Sequence, residues 1–396
     1  MAIGFLDLPD DVLFIVLGYL GVADIGHVSQ ACRKLRRLAC QDAAWHTLSQ
    51  HLINVRYNND ADGQHSYKTG RRIVSLKDKC RISINWSKGR KQDVSLLRYK
   101  TRYNPWLQLD GEHLYVSQGE TVHCFRLTDH GKLLKKALVS FIYRLGDVSR
   151  FVLRDGDLLT GGSDGRVLRY NKLTGALLAC YQLPRPPPNA AFGCVDMTEE
   201  VVLGGMTDRC IALWNSQSGE CVATIPLLDR IWSLSASPCQ RSFASGNAGT
   251  AGDRQPIKIW DIETGNQVLA VGRNWKHGAG TLDMQYESKN CLLSCGHDTA
   301  VRQWDLRTPC LSPVLELEDP HDYTVYCLQS DSKYLIASGT ALWSVVRLWD
   351  KRMARPLKSF FVERTNNPVY SLQFNGSHMY LALGMSVKAL NFAGRC

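Results

Sequence analysis

The sequence predicts a mainly β protein, a seven-bladed β-propeller preceded by a small α-helical domain. Three observations support this prediction. Residues that end strand-like runs, most of them aromatic, recur at an interval of about 45 positions along most of the 396-residue chain. Each repeat contains short runs with period-2 alternation, separated by turns rich in Gly and Asp, as in a propeller blade. Residues 1–52 instead show the apolar spacing of helices.

Residues 1–52 are interpreted as the helical domain. Asp7-Leu8-Pro9 precedes a run of apolar residues at helical spacing, and an acidic residue with an early proline favours a helix start. Gly21 separates this run from a second amphipathic one, and Trp45 belongs to a third. A bundle of about 50 residues leaves much of its apolar surface in water. We therefore expect part of that surface to bind a partner.

Residues 53–92 are interpreted as a basic linker, because residues 51–105 carry a net charge of +9 out of +10 for the whole chain. The segment can be a solvated linker, a surface for an acidic protein, or a nucleic-acid site. Charge without a recognition motif is weak support for nucleic acid, which we do not expect as a partner. Trp86 and Trp106 predict that its later part is packed on the propeller.

Residues 93–396 are interpreted as the propeller. One repeat contains strand-like runs at 282–286, 292–296 and 301–304, and its tight turn holds Asp298. The corresponding turn Asp lies six residues before the aromatic in two further repeats, which predicts a structural hydrogen bond and not catalysis. The seven repeats end at Phe125, Tyr170, Trp214, Trp260, Trp304, Trp349 and Leu390.

The last repeat shows only three strands, near 369–374, 379–383 and 387–392, before the sequence ends. A blade has four strands, and a missing one leaves an unpaired edge that promotes aggregation. The run Asp93–Lys100 precedes the first repeat and has no other assignment. We predict that Asp93–Lys100 pairs with the last blade and closes the ring.

Several classes of protein are not expected. No run approaches the roughly 20 apolar residues of a membrane span, and acidic residues interrupt the N-terminal apolar stretch. We therefore expect a cytoplasmic or nuclear protein. The fourteen cysteines include no C-x-x-C pair, which predicts reduced, buried thiols and no metal. No nucleophile elbow or P-loop is present, so no enzyme, catalytic residue or cofactor is expected.

The stretch from Leu8-Pro9-Asp10-Asp11-Val12-Leu13 to Tyr19-Leu20 resembles the opening of the F-box, L-P-x-E-[LIV]-L-x-x-I-[LF]-x-Y-L. Asp42-Ala43-Ala44-Trp45 resembles its continuation. Asp11 replaces the usual Glu, and Val16 the usual Ile. The Trp-Asp endings of the repeats resemble WD repeats. The chain is thus similar to the F-box/WD-repeat class of ubiquitin-ligase substrate receptors.

The resemblance implies a substrate-recognition subunit of a Skp/cullin/F-box ubiquitin ligase. In that class the box docks on a Skp-type adaptor, which bridges to a cullin, and the propeller captures a target protein for ubiquitination. The alternative is a WD-repeat scaffold that acts without a ligase. The residues implied to contact the adaptor are Leu8, Pro9, Val16, Leu17, Leu20, Ile25 and Val28.

The resemblance also implies roles inside the propeller. In WD repeats the turn Asp belongs to a Trp–Ser/Thr–His–Asp network, which His277, Ser294, Asp298 and Trp304 could build here. Related receptors bind acidic or phosphorylated peptides through arginines, for which the candidates are Arg209, Arg230, Arg302 and Arg347. For any single arginine, an ordinary solvated strand residue is the favoured interpretation, and the alternative hypothesis is that all four converge on one phosphate site. Pro184–Pro188 is interpreted as either a spacer or a docking strand.

Overall fold

The structure is a computed structural model. It describes residues 4–55, 75–101, 104–128, 130–134, 136–143, 146–187, 190–252, 255–273, 275–308, 312–320, 323–353 and 355–394. Residues 56–74 of the predicted basic linker and Pro188 of the proline-rich stretch lie outside the described residues. The chain forms two compact units. The N-terminal unit comprises Met1–Gln92, Asn375–His378 and Leu390–Cys396, and the propeller unit comprises Asp93–Phe374 and Met379–Ala389.

The N-terminal unit is helical, and its core explains the helical spacing of the sequence. Leu13 and Leu17 of the first helix pack with Ile25, Leu38 and Trp45, and the Trp45 indole donates a hydrogen bond to the carbonyl of Ala39 (2.8 Å). Short 3₁₀ turns lie at Phe5–Asp7 and Asp42–Trp45. The α-helices are α1 (Asp10–Gly18), α2 (Val22–Ala31), α3 (Arg33–Ala39), α4 (His46–His51) and α5 (Leu76–Lys88).

Helix α5 lies in the segment interpreted as a linker. Ser75 caps its start by accepting the backbone N–H of Asp78 (3.2 Å), and Gly89 ends it with a φ of 70°. Trp86 is buried and stacks on Phe392 with ring centroids 3.9 Å apart. A fully solvated linker therefore does not describe 76–88, because one face of this helix is packed within the N-terminal unit.

The propeller unit has seven four-stranded antiparallel sheets, and the innermost strand of each lines a central channel. The first three blades are β2–β5 (Leu107–Asp110, His113–Gln118, Thr121–Arg126, Val139–Ile142), β6–β9 (Val148–Arg154, Asp157–Gly162, Arg166–Asn171, Leu177–Gln182) and β10–β13 (Phe192–Met197, Val201–Met206, Cys210–Asn215, Cys221–Pro226).

The next three blades repeat this order from the inside outwards. They are β14–β17 (Ile231–Ala236, Ser242–Asn247, Ile257–Asp261, Gln267–Val271), β18–β21 (Thr281–Ser288, Cys291–Gly296, Ala300–Asp305, Leu315–Glu318) and β22–β25 (Val325–Ser330, Leu335–Thr340, Val345–Asp350, Pro356–Phe361). The predicted seven-bladed propeller with an N-terminal helical box is confirmed.

The seventh blade combines one strand that precedes the first blade with the last three strands of the propeller. Its sheet order is β1-β28-β27-β26. The strands are β1 (Gln92–Arg98), β26 (Val369–Phe374), β27 (His378–Leu383) and β28 (Ser386–Asn391). The backbone N–H of Tyr99 extends this pairing to the carbonyl of Met385 (2.9 Å).

Neighbouring blades are joined at their inner strands by polar side chains. Six of the seven junctions also satisfy a backbone group of the neighbouring strand, and the seventh is an ion pair between two side chains. The seven junctions are Gln108 with the N–H of Leu153 (2.7 Å), Arg154 with Asp196 (3.2 Å), Asp196 with the N–H of Ala236 (2.7 Å), Ser233 with the carbonyl of Thr281 (3.0 Å), Asp283 with the N–H of Leu328 (3.0 Å), Gln329 with the N–H of Phe374 (2.5 Å) and Ser371 with the N–H of Leu107 (3.3 Å).

The predicted four-residue network is only half formed. The Trp304 indole donates to the Ser294 hydroxyl (2.9 Å). His277, however, lies against the carbonyl of Thr250 (2.8 Å), and Asp298 pairs with Arg302. The inclusion of His277 is therefore wrong, because an arginine of the same blade already neutralises the turn carboxylate.

The twelve described cysteines are all free thiols. Burial raises the pKa of the Cys80 thiol to about 11, so this group stays protonated. The prediction of burial is wrong for Cys40, Cys180 and Cys239, which are exposed. Among the described residues, no helix combines the length and apolar character needed to cross a membrane.

Candidate protein-binding surfaces

One face of α1 is apolar and is not covered by the residues of the N-terminal unit that the structure describes. Val12, Ile15 and Tyr19 follow one another at helical spacing, and Ile15 and Tyr19 are 63% and 87% exposed. The side chains of Phe5 and Leu6, just before the helix, are also exposed. Exposed apolar residues that cluster on one element mark an interaction site. These five residues are called the α1 surface below.

The segment that precedes α1 is held in place by charged residues of α3. Lys34 donates hydrogen bonds to the carbonyls of Leu6 (2.7 Å) and Leu8 (3.1 Å). Asp10, in the first turn of α1, pairs with Arg37 (2.8 Å). These contacts fix the entry into α1, and the exposed residues on both sides of it are presented from an ordered backbone.

The structure separates the predicted adaptor contacts into two groups. Leu17 and Ile25 are 1% and 0% exposed and belong to the core of the N-terminal unit, so their assignment as contact residues is wrong. Pro9 is exposed, and the remaining four, Leu8, Val16, Leu20 and Val28, are half-buried.

Sequence reasoning missed Val12, Ile15 and Tyr19. The only signal that could have identified them is helical phase, because residues 13 and 17 share one face and residues 12, 15 and 19 another. Every one of these positions is apolar or aromatic, so the pattern alone does not show which face is covered.

A second candidate surface is the propeller rim formed by two sets of loops. Loops between second and third strands and loops between consecutive blades lie at the same end of antiparallel sheets, here called the upper rim. Arg209 lies in the β11–β12 turn and Arg230 between β13 and β14, and both are exposed. Two of the four predicted arginines are thus available to a partner on this rim.

The other two predicted arginines are committed to structural ion pairs. Arg347 is fully buried, donates to the Ser359 hydroxyl (2.8 Å) and pairs with the buried Asp319. Arg302 pairs with Asp298 and Glu316 and lies 4.9 Å from the ring centre of Trp275. The prediction that all four arginines form one phosphate site is therefore wrong, because two carry compensated charges inside the blades.

The central channel holds a cavity of about 330 Å³. Its two arginines are also compensated, because Arg150 lies 3.6 Å from Asp283 and Arg154 lies 3.2 Å from Asp196. Burial raises the pKa of the Asp283 carboxyl, although Arg150 opposes that shift. No group of three His, Cys, Asp or Glu side chains suited to a metal occurs among the described residues. The charged residues that line the cavity therefore serve to join the inner strands of different blades.

A helical box followed by a seven-bladed propeller defines a class of two-module proteins. A model of the F-box-like family matches residues 5–51. F-box/WD repeat-containing protein 4 of Homo sapiens, also called dactylin, is 34% identical over 392 residues, which cover 97% of this chain and 92% of that protein. Its Mus musculus counterpart is also 34% identical, with the same coverage. The chain belongs to the F-box/WD-repeat family.

Solved structures support the propeller fold alone. The WD40 β-propeller domain of Doa1 superposes with a TM-score of 0.59 at 15% identity, covering 75% of this chain and 95% of that one. The computationally designed Ika8 protein superposes with a TM-score of 0.58 at 18% identity, covering 75% and 98%.

Proposed function

We propose that this chain is the substrate-recognition subunit of a Skp/cullin/F-box ubiquitin ligase. The helical box docks on a Skp-type adaptor, the adaptor connects to a cullin, and the propeller captures the target protein. The observation that carries the proposal is the α1 surface, where Ile15 and Tyr19 stand exposed on a family-typical F-box helix. Burying such residues against a partner stabilises a complex by about 1.5–3 kcal/mol for each large side chain.

The contribution of the chain to ubiquitination is proximity. Holding a target beside the transferring subunits converts a bimolecular encounter into an effectively unimolecular one. The chain itself catalyses no step in this proposal, and the site of action is the cytoplasm or the nucleus. On the upper rim, Arg209 and Arg230 are suited to acidic or phosphorylated segments, because a guanidinium pairs with carboxylate or phosphate through two parallel hydrogen bonds.

Co-expression with a Skp-type adaptor tests the proposal. We expect Ile15→Asp and Tyr19→Asp to abolish co-purification of the adaptor, because each places a charge in an apolar contact. Leu173→Asp is the matched control, since Leu173 is equally exposed on a propeller turn. Wild-type chain that does not retain the adaptor supports the alternative of a WD-repeat scaffold without a ligase.

Target capture is tested separately on the upper rim. Reversing Arg209 and Arg230 to Glu is expected to weaken the capture of an acidic partner, while adaptor binding is retained. Unchanged capture by the double variant counts against these two arginines as target contacts.

A further inference from the structure

The turn between β23 and β24 contains a tryptophan whose backbone has a positive φ, a conformation that is unfavourable for bulky residues. Trp343 and Ser344 have φ values of 57° and 51°. The N–H of Val345 points to the carbonyl of Leu342 (3.4 Å), which makes these two the central residues of a tight turn. Such turns normally use Asn-Gly, because positive φ disfavours bulky side chains. Trp343 is nevertheless 47% exposed. A strained backbone that carries an exposed indole is typical of a functional position.

The surrounding structure holds this turn firmly. The N–H of Trp343 donates to the Asn366 side chain (3.0 Å), and the N–H of Ser344 donates to the carbonyl of Asn367 (2.8 Å). From the other side, the Thr340 hydroxyl donates to the carbonyl of Leu342 (3.0 Å). A side chain fixed in this way loses little conformational entropy when a partner covers it.

The loop that fixes the turn also carries an exposed cationic side chain. Glu363 is neutralised by Lys388 (3.0 Å) and bound by Asn367 (2.9 Å) and Ser386 (2.7 Å). Arg364, the next residue, is exposed and has no ion pair within the part of the chain that the structure describes. Arg364 belongs to the same loop as Asn366 and Asn367, which hold the turn. An exposed cation in this loop favours an anionic group on a partner that covers the turn.

The same rim carries further aromatic surface. Tyr326 and Tyr370 stack with ring centroids 5.8 Å apart at the starts of β22 and β26, which belong to the blades on either side of the 363–367 loop. Each tyrosine lies at a β-bulge, a device that redirects a side chain. Both rings are half-buried, so the upper rim of these two blades is aromatic as well as cationic.

We propose that Trp343 is the anchor of the target-binding surface, and that it takes a segment of the target protein in which a bulky apolar residue stands beside Asp or Glu. The inference rests on the proposed function and specifies its target. The apolar residue packs on Trp343 and Leu342, and the carboxylate pairs with Arg364. Trp and Arg are the residue types that most often dominate the binding energy of a protein interface.

Selection of peptides on the full chain tests the inference. The probe is a phage-displayed library of random dodecapeptides, followed by fluorescence anisotropy with one fluorescein-labelled consensus peptide. We expect enrichment of sequences with a bulky apolar residue next to Asp or Glu. Replacing the acidic residue of the consensus peptide by Lys should weaken binding at least about tenfold.

Trp343→Gly is the decisive variant, because glycine adopts positive φ without strain and so keeps the turn while removing the indole. We expect at least about a tenfold loss of peptide affinity, as for an interface hot spot, and an unchanged or higher Tm. Arg364→Glu should lose affinity as well, and it decides the question if Trp343→Gly does not fold. Val268→Ala is the control, since Val268 is exposed on the outer strand of another blade and should leave affinity unchanged.

Three results overturn the inference: no enrichment, enrichment without the apolar-acidic pattern, or equal affinity of the folded variants and the wild type. Adaptor co-purification is measured on the same proteins. If the adaptor is retained while Trp343→Gly binds the peptide with the affinity of the wild type, only this inference fails. If the wild-type chain binds the peptides but no adaptor, the proposed ligase role fails, and the assignment of Trp343 as the peptide-binding anchor is retained.

Discussion

Arg347 and Asp319 form an ion pair that is almost entirely withdrawn from water, with side chains 1% and 0% exposed. The two residues are 28 positions apart, one in the third strand of a blade and the other in the loop that enters it. The Arg347 guanidinium also donates to the Ser359 hydroxyl (2.8 Å). The pair thus ties the entering loop, the third strand and the outer strand of one blade together.

Removing one member of this pair should destabilise the propeller strongly. Arg347→Leu leaves the Asp319 carboxylate buried without its cation, which typically costs about 3–5 kcal/mol. Chemical denaturation of the full chain measures the change. Arg209→Leu is the control, because Arg209 is exposed and its loss should alter stability by less than about 0.5 kcal/mol. A similar stability of the two variants would contradict a structural role for Arg347.

The contrast between these arginines shows what could be predicted from the sequence. The 45-residue period correctly located the third strand of each of these blades. Trp214, Trp260, Trp304 and Trp349 all lie in that strand, and their spacing equals the length of one blade. The partner of Arg347 could not be predicted in the same way. An arginine two residues before a blade Trp is compatible with solvent, a ligand or a buried acid, and only the fold brings Asp319 beside it.

The same reasoning applies to the helical box. The F-box spacing predicted helices and a partner surface, but it did not distinguish the buried Leu17 from the exposed Ile15. The distinction depends on where α3, α4 and the 42–45 turn pack against α1. These are tertiary contacts, and an apolar pattern that covers the whole circumference of a helix does not encode them.

Glu363 should make the propeller sensitive to acid. Burial alone would raise the pKa of its carboxyl, but hydrogen bonds from Asn367, Ser386 and Lys388 outweigh burial and hold that pKa below the ordinary value of 4.5. A lowered folded-state pKa contributes stability that is complete above about pH 4.5 and is lost as the pH falls through the folded-state value. Glu363→Gln should therefore reduce stability at pH 7 and flatten its decline on acidification.

Urea denaturation between pH 3 and pH 7 measures this effect. Glu263→Gln is the matched control, because Glu263 is exposed in a turn of another blade. If both variants lose stability in parallel with the wild type on acidification, the hydrogen bonds to Glu363 do not stabilise its charged form.

Trp86 should be required for the N-terminal unit to fold. Its ring is buried and stacks on Phe392, and its indole N–H donates to the carbonyl of Gly376 (3.0 Å). Trp86→Ala removes both contacts and should cost about 3–5 kcal/mol. Limited proteolysis and denaturation report the loss, with Lys88→Ala as the control on the exposed side of the same helix. A double variant with Phe392→Ala should cost less than the sum of the two single changes, because the rings contact each other.

Strand β1 should be needed for the stability of the whole ring. It forms the edge of the sheet β1-β28-β27-β26, and Val94, Leu96 and Leu97 pack partly against the apolar cluster that contains Leu107. Without it, β28 has an unpaired edge, and the blade loses apolar burial that is worth about 2–5 kcal/mol in total. A chain that begins at residue 99 should therefore unfold at lower denaturant and aggregate more readily than one that begins at residue 92. Since both chains lack the helical box, their difference reports on β1 alone, and equal unfolding midpoints would exclude a closing role for this strand.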